Sequence, residues 1–414
     1  MNIFFIIVLV ALLVDYVMHL IGNLLNLKAL KYNLPASLEG LYSPDDYHKS
    51  QEYLRVNTVL ELVQDTFVLI VIISFWFLHG FNYLDGIIET WGFTSIVSGI
   101  FYIGIVLLIY QLIILPFSVY RTFVIEERFG FNKTTPRLFV VDYLKSLGIT
   151  LVLGVPLLAG ILVLFEYAGI YAWLYCWATV AAISVIMQFV APVLIMPLFN
   201  KFTPMPPGEL KDAILRYAAS VSFPVKDVMI MDASKRSRKS NAFFTGFGRN
   251  RRIALFDTLI EKHTTAELVA ILAHEIGHYK KKHIPQALVI SILHMGLLFF
   301  LLSIFLNSTG LYQAFYMQEY PLYAGLIFFG LLYTPVEMVI SLVLQIISRK
   351  HEYEADRFAA ETIAEPEVLI TALKKLSTGN LANLTPHPFY VFLNYSHPPL
   401  LQRIQVIADI KSRK

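Results

Sequence analysis

Seven stretches of this chain are apolar over about twenty residues each, the length a helix needs to cross a hydrocarbon layer about 30 Å thick. They lie near 3–26, 58–80, 95–120, 146–167, 170–198, 286–307 and 322–347. Backbone in lipid must satisfy its own hydrogen bonds, so these stretches read as helices and the chain as a mainly α, polytopic membrane protein. The charge content agrees: 15% of the 414 residues are Asp, Glu, Lys or Arg, where a soluble protein carries about 25%. The first stretch has no basic region before it and no evident cleavage site, so it is expected to remain as a span.

The loops between these stretches alternate in charge. Loop 27–57 carries Lys28, Lys31, Lys49 and Arg55, and loop 121–145 carries Arg121, Arg128, Lys133, Arg137 and Lys145. Loops 81–94 and 308–321 and the turn at 168–169 carry no Lys or Arg, while 199–285 and the tail from Arg349 are rich in them. The excess of basic residues marks the cytoplasmic side, which places both long polar segments there. The expected domain order is then a five-span membrane part (1–198), a cytoplasmic segment (199–285), two further spans (286–348) and a C-terminal segment (349–414). A net charge of +3 suggests no nucleic-acid partner, and the single cysteine, Cys176, excludes an intrachain disulfide and a multi-cysteine metal site.

The chemistry-bearing motif is His274-Glu-Ile-Gly-His278, in a run with helical periodicity. Residues i and i+4 share a helix face, so both imidazoles can reach one metal ion. Glu275, beside the first histidine, can reach a metal-bound water without being a ligand. This is the H-E-x-x-H spacing of zinc hydrolases, and chance supplies it in a chain of this length with a probability on the order of one in a hundred. Such a site needs a third protein ligand and an open fourth position. The extended pattern with a third histidine six residues on fails, because position 284 is Ile and position 281 is Lys. His283 falls on a different face of a continuous helix and is expected at the surface. The better candidate is His351-Glu-Tyr-Glu-Ala-Asp356, where Glu352 and Asp356 stand i, i+4: Glu352 as ligand, Asp356 as hydrogen-bond partner of a ligand histidine, with His351 and Glu354 as fallback ligands.

In the polar segment, a helix is expected from Glu209 to about Val221 and a buried strand at Val228–Met231. A hairpin is expected from 241–246 and 253–256, joined through Gly248, Arg249 and Asn250. Thr264 or Thr265 can cap the helix that carries His274. Inside the spans sit Asp15 and His19, Glu61 and Asp65, Glu166, His294 and Glu337, residues that in a membrane usually face a bundle interior or a water-filled cavity.

Several long stretches together resemble the type I CAAX prenyl proteases, multispan zinc metallopeptidases related to the HtpX proteases. They are Phe123-Val-Ile-Glu-Glu-Arg-Phe-Gly-Phe-Asn-Lys-Thr-Thr135, Pro197-Leu-Phe-Asn-Lys-Phe202 and Ser240-Asn-Ala-Phe-Phe244. The two motifs above and Tyr395-Ser-His-Pro-Pro-Leu-Leu-Gln-Arg403 complete the set. The resemblance covers nearly the whole chain. It implies seven helices enclosing a water-filled chamber lined by the polar span residues, with one Zn²⁺ at its cytoplasmic end. It makes Glu352 the third ligand and Glu275 the general base, and places Asn241, Ala242 and Phe243 on the substrate. His397 and Arg403 then become candidates for stabilising the oxyanion. It implies a peptide or protein substrate, prenylated or membrane-anchored, and a lipid bilayer around the protein. The absence of the insertions and long tails of eukaryotic members implies a prokaryotic relative, and so a cell inner membrane rather than the endoplasmic reticulum. The competing reading is a seven-span transporter or receptor with a structural metal site. Glu275 argues against it, because a structural site has no use for a carboxylate between its histidines and would close the fourth position.

Overall fold

The computed structural model describes residues 2–31, 43–245 and 251–411. Among the described residues, six helices are long and apolar enough to span a membrane: Ile3–Lys28, Pro44–Phe77, Ser95–Glu126, Pro136–Tyr167, Gly169–Phe199 and His283–Phe305. The stretch read as the seventh span is a bent pair, Leu322–Leu332 and Thr334–Thr362, meeting at 51°. Pro335 explains the break: it lacks the N–H that would bond to the Leu331 carbonyl, and its ring crowds that carbonyl. The hydroxyl of Thr334 donates to that oxygen instead, at 2.9 Å. The second helix of the pair then runs past the apolar region and carries Glu352 and Asp356 in its distal half.

At most 17% of the apolar window of any of the six spans is buried within the protein. The helices therefore meet along narrow seams and do not fill a common centre. The largest apolar cluster closes one end of the bundle, where Trp76, Phe81, Tyr102, Phe315 and Phe328 pack together and the Trp76 indole donates to the Ala314 carbonyl at 2.8 Å.

At the other end lies a four-stranded mixed sheet, in the order β1-β2-β4-β3: β1 is Phe202–Pro204, β2 Asp227–Met231, β3 Ala242–Thr245 and β4 Arg252–Phe256. β3 and β4 pair antiparallel as the hairpin expectation requires, but their junction at Gly246, Gly248, Arg249 and Asn250 lies outside the described residues. β2 pairs parallel to β4, and the Pro-rich opening of the segment supplies β1 antiparallel to β2, a strand the sequence did not suggest. The expected helix after Glu209 is Glu209–Ser220. Val228, Ile253 and Leu255 of the sheet share a core with Leu268, Leu272 and Ile276, so the His274 helix is seated on the sheet by its apolar face.

That helix, Thr265–Lys280, begins with a reciprocal capping box. The Thr264 hydroxyl accepts from the Glu267 N–H at 3.3 Å, and the Glu267 carboxylate accepts from the Thr264 N–H at 2.9 Å. Lys375, on the helix Pro366–Gly379, adds an ion pair to Glu267 at 2.8 Å. Its first turn is thus fixed to the C-terminal segment, and the positions of its histidines follow from that anchoring.

Candidate metal centre

The apolar face of the Thr265–Lys280 helix is buried, which leaves His274 and His278 on the face turned toward the Thr334–Thr362 helix. The two helices come unusually close at Gly277. A Cβ there would lie 3.0 Å from both the Cα and the carbonyl oxygen of Ala355. Glycine therefore lets the carboxylate of Glu352, one turn from Ala355, reach the two imidazoles. Gly277→Leu is expected to separate the helices and lose bound metal, as read by metal content of the purified protein. Gly277→Ala needs a shift of a few tenths of an ångström and should retain most of it.

The ligand atoms converge tightly. His274 Nε2 and His278 Nε2 are 3.1 Å apart, and Glu352 lies 3.4 Å from the first and 3.3 Å from the second. Behind His274, Nδ1 is 2.8 Å from Oδ1 of the fully buried Asp356. A proton on Nδ1 satisfies that contact, so Nε2 is the atom by which a neutral His274 would bind a metal. Oε2 of Glu352 is buried with no hydrogen-bond partner among the described residues. Two imidazoles and a buried carboxylate facing one point, with an orphaned oxygen among them, fit a bound cation and little else. Burial and Arg403 both oppose positive charge on His274, yet Asp356 and Glu352 hold its pKa up at about 9. The same carboxylates pull on a metal.

Glu275 has no hydrogen bond or ion pair among the described residues. Its pKa is raised, first by burial and also by Glu352, with the two imidazoles partly offsetting. A carboxylate held at raised basicity beside the ligand cluster is suited to taking and returning a proton.

The remaining candidates fall into three groups. Arg403, on the helix Leu400–Lys411, grips Asp356 with two bonds, Nε to Oδ2 at 2.8 Å and Nη2 to Oδ1 at 2.7 Å, and its Nη1 lies 3.7 Å from Glu352. Its Nε and Nη2 are engaged by Asp356, the carboxylate behind His274, so it orients that support, while Nη1 makes no hydrogen bond among the described residues and stands beside the ligand carboxylate. His397 stands at the rim: its side chain is 62% exposed and its Nε2 lies 3.4 Å from Glu352 Oε1. Asn241 is exposed at the start of β3, with its side-chain oxygen accepting from the Ala242 N–H at 2.8 Å. β3, bearing Ala242 and Phe243, is an edge strand that packs on the His274 helix, and the clamp of Asn380 on both backbone groups of Ser240 (3.1 and 3.3 Å) fixes its start.

Neither fallback ligand joins the cluster: the His351 ring stacks on His283, and Glu354 pairs with His283 and Lys350. His283 itself is not at the surface. It is 4% exposed, with Nδ1 3.0 Å from Nδ1 of His278. The helical-face argument failed because the helix ends at Lys280 and the chain turns through a left-handed Lys282 (φ 61°) into the next helix, folding His283 back. The signal that could have suggested the break is Pro285, which the interior of a continuous helix from Thr265 would not hold.

In the spans, Asp15 and His19 are 3.9 Å apart and both about 40% exposed, and Tyr16 bonds to Thr66 at 2.7 Å. His294 lies 3.2 Å from Glu337 and 3.0 Å from the Tyr333 hydroxyl, at the bend of the broken pair.

Comparison with known proteins places this architecture. Residues 23–201 match the family described as CAAX prenyl protease N-terminal, five membrane helices, and residues 204–411 match peptidase family M48. The chain is 36% identical over 396 residues to the rice CAAX prenyl protease 1 homolog, covering 94% of this chain and 93% of that protein. It is 33% identical over 415 residues to CAAX prenyl protease 1 of Saccharomyces cerevisiae, covering 94% and 91%. The crystal structure of S. mikatae Ste24p superposes with a TM-score of 0.93 at 31% identity, over 98% of this chain and 99% of that one. The expectation of a prokaryotic relative is not borne out: these relatives are eukaryotic and are matched nearly end to end.

Proposed function

This chain belongs to the CAAX prenyl proteases of peptidase family M48, and on that premise we propose how its residues divide the work. It is an integral-membrane metallopeptidase acting on a peptide or protein substrate. The transporter or receptor reading is not favoured. We propose Zn²⁺ as the metal, held by His274, His278 and Glu352, a two-imidazole, one-carboxylate set of the kind catalytic zinc takes with its fourth position open. The observation that carries this is the convergence of those three side chains within 4.8 Å, with Glu275 beside them.

When bound, the metal supplies a Lewis acid and brings the pKa of a coordinated water toward about 7. Glu275 takes the proton of the attacking water and returns it to the leaving amine. His397, at the rim, donates to the carbonyl oxygen as it gains charge. Asp356 holds the tautomer of His274, and Arg403 holds Asp356. The free edge of β3 at Ala242 and Phe243 pairs with the extended substrate backbone, and Asn241 meets the amide next to the scissile bond.

The relatives are named for CAAX prenyl substrates, and in a C-terminal C-a-a-X motif the cysteine carries the prenyl chain. We propose the same class here. The loosely packed bundle and its half-exposed Asp15 and His19 support a hydrated chamber that such a substrate enters. The basic loops support a metal on the cytoplasmic side, and the eukaryotic relatives favour the endoplasmic reticulum membrane. The chain divides into membrane parts 1–198 and 286–348 and peptidase parts 199–285 and 349–414.

The test is a cleavage assay on paired farnesylated and unmodified CAAX peptides, with and without a chelator. The farnesylated peptide should be cut faster, and the chelator should abolish cutting. Equal rates for the two peptides would remove the prenyl requirement; cutting that survives metal stripping would remove the metallopeptidase.

A further inference from the structure

We infer that His283 is a positioning residue for metal capture, fixing the tautomer and ring plane of His278 through the chain Glu354–His283–His278. The inference rests on the reading of His274, His278 and Glu352 as the ligands.

Proton bookkeeping along the chain closes without conflict. His278 faces the ligand cluster with Nε2, so a ring that gives that lone pair to a cation carries its proton on Nδ1. Nδ1 lies 3.0 Å from Nδ1 of His283, so His278 donates and His283 accepts. A neutral His283 accepting at Nδ1 carries its own proton on Nε2, and that atom is 3.0 Å from Glu354 Oε2. Each N–H has one acceptor, and only this order of protons leaves Nε2 of His278 bare. The ring of His283 is also held in plane: His351 stacks on it at 4.0 Å between centroids and 9° between planes.

The two ligand histidines are thus supported differently. His274 is backed by a buried carboxylate that Arg403 grips, whereas His278 is backed by a neutral ring and, beyond it, the 38% exposed carboxylate of Glu354. Cutting the His278 support removes an orienting contact without stranding a buried charge. Its effect should therefore appear in metal binding rather than in the fold. Partners of this kind, one shell behind a ligand, are typically worth about 10–100-fold in metal affinity.

The experiment measures Zn²⁺ affinity of the full-length purified protein by competition with a chromophoric chelator, together with the electronic absorption of the Co²⁺-loaded form. His283→Leu, which keeps bulk but offers no acceptor, should bind Zn²⁺ about 10–100-fold more weakly and shift the Co²⁺ bands. His283→Gln, whose amide oxygen can accept from His278, should recover most of the loss. Glu354→Gln should fall between wild type and His283→Leu. Wild-type affinity and bands in His283→Leu, alongside lost metal in His278→Ala, overturn the inference alone. Wild-type affinity in His278→Ala overturns the ligand reading and the inference with it. Should His283→Leu not fold, Glu354→Gln decides, since that carboxylate is half-exposed: affinity equal to wild type overturns the inference.

Discussion

Glu275→Gln is expected to lower peptide turnover by about 10²–10⁴-fold while leaving metal content unchanged. The substitution preserves shape and removes only the capacity to carry a proton. None of the three proposed ligands touches it by hydrogen bond, so the two imidazoles and Glu352 keep their convergence. Glu275 is half-buried and its pKa is raised, by desolvation first, so it is a stronger base than an exposed glutamate. An amide in that place cannot accept the water proton and cannot protonate the leaving amine, so both halves of the reaction lose their shuttle. The measurement is turnover of a farnesylated CAAX peptide set against metal per chain. Turnover within tenfold of wild type at full metal occupancy would falsify Glu275 as the base. Parallel loss of metal and turnover would instead make it a structural member of the site.

What could be read in the sequence follows the range of the interactions that encode it. The span positions were legible because lipid imposes a long apolar run on each one; the bend at Tyr333 was not read, although Pro335 stands two residues further on. The His274 motif was legible because its geometry is local to one helix turn. Glu352, 74 residues beyond His278, was legible only as an i, i+4 carboxylate pair with Asp356. What brings it to the histidines is a close helix crossing at Gly277, which no local pattern announces. The same limit hid β1 and the parallel pairing of β2 with β4, since both depend on partners more than twenty residues away. It also hid His283, where one left-handed lysine overrode the helical count. Arg403 was found as a residue, but its two bonds to Asp356 were not legible, because only the fold brings the two side chains together.

Glu352→Ala is expected to reduce bound metal from about one per chain to near none, as read by elemental analysis after dialysis. Two imidazoles alone hold a divalent ion too weakly to survive that step, and a catalytic site of this type draws its third protein ligand from the chain. None of the other acids or histidines beside it on the same helix is free to substitute. His351 is stacked on His283, Glu354 is drawn to His283 and Lys350, and Asp356 is engaged with Arg403 and His274. The fold should survive the change, because the Arg403–Asp356 pair persists and the Arg403 contact to Glu352 is the longer one at 3.7 Å. A protein that stays soluble in detergent with an unchanged helical signal but no metal is the expected product. Glu352→Gln should retain more metal than Glu352→Ala and less than wild type, since its amide oxygen can still point at the ion but carries no charge to offset it. Full occupancy in Glu352→Ala would pass the third position to another group. Asp356→Asn separates the remaining alternative. It keeps every proposed ligand but weakens both the hydrogen bond behind His274 and the Arg403 ion pair, so it should cost about 10–100-fold in affinity and not the site itself.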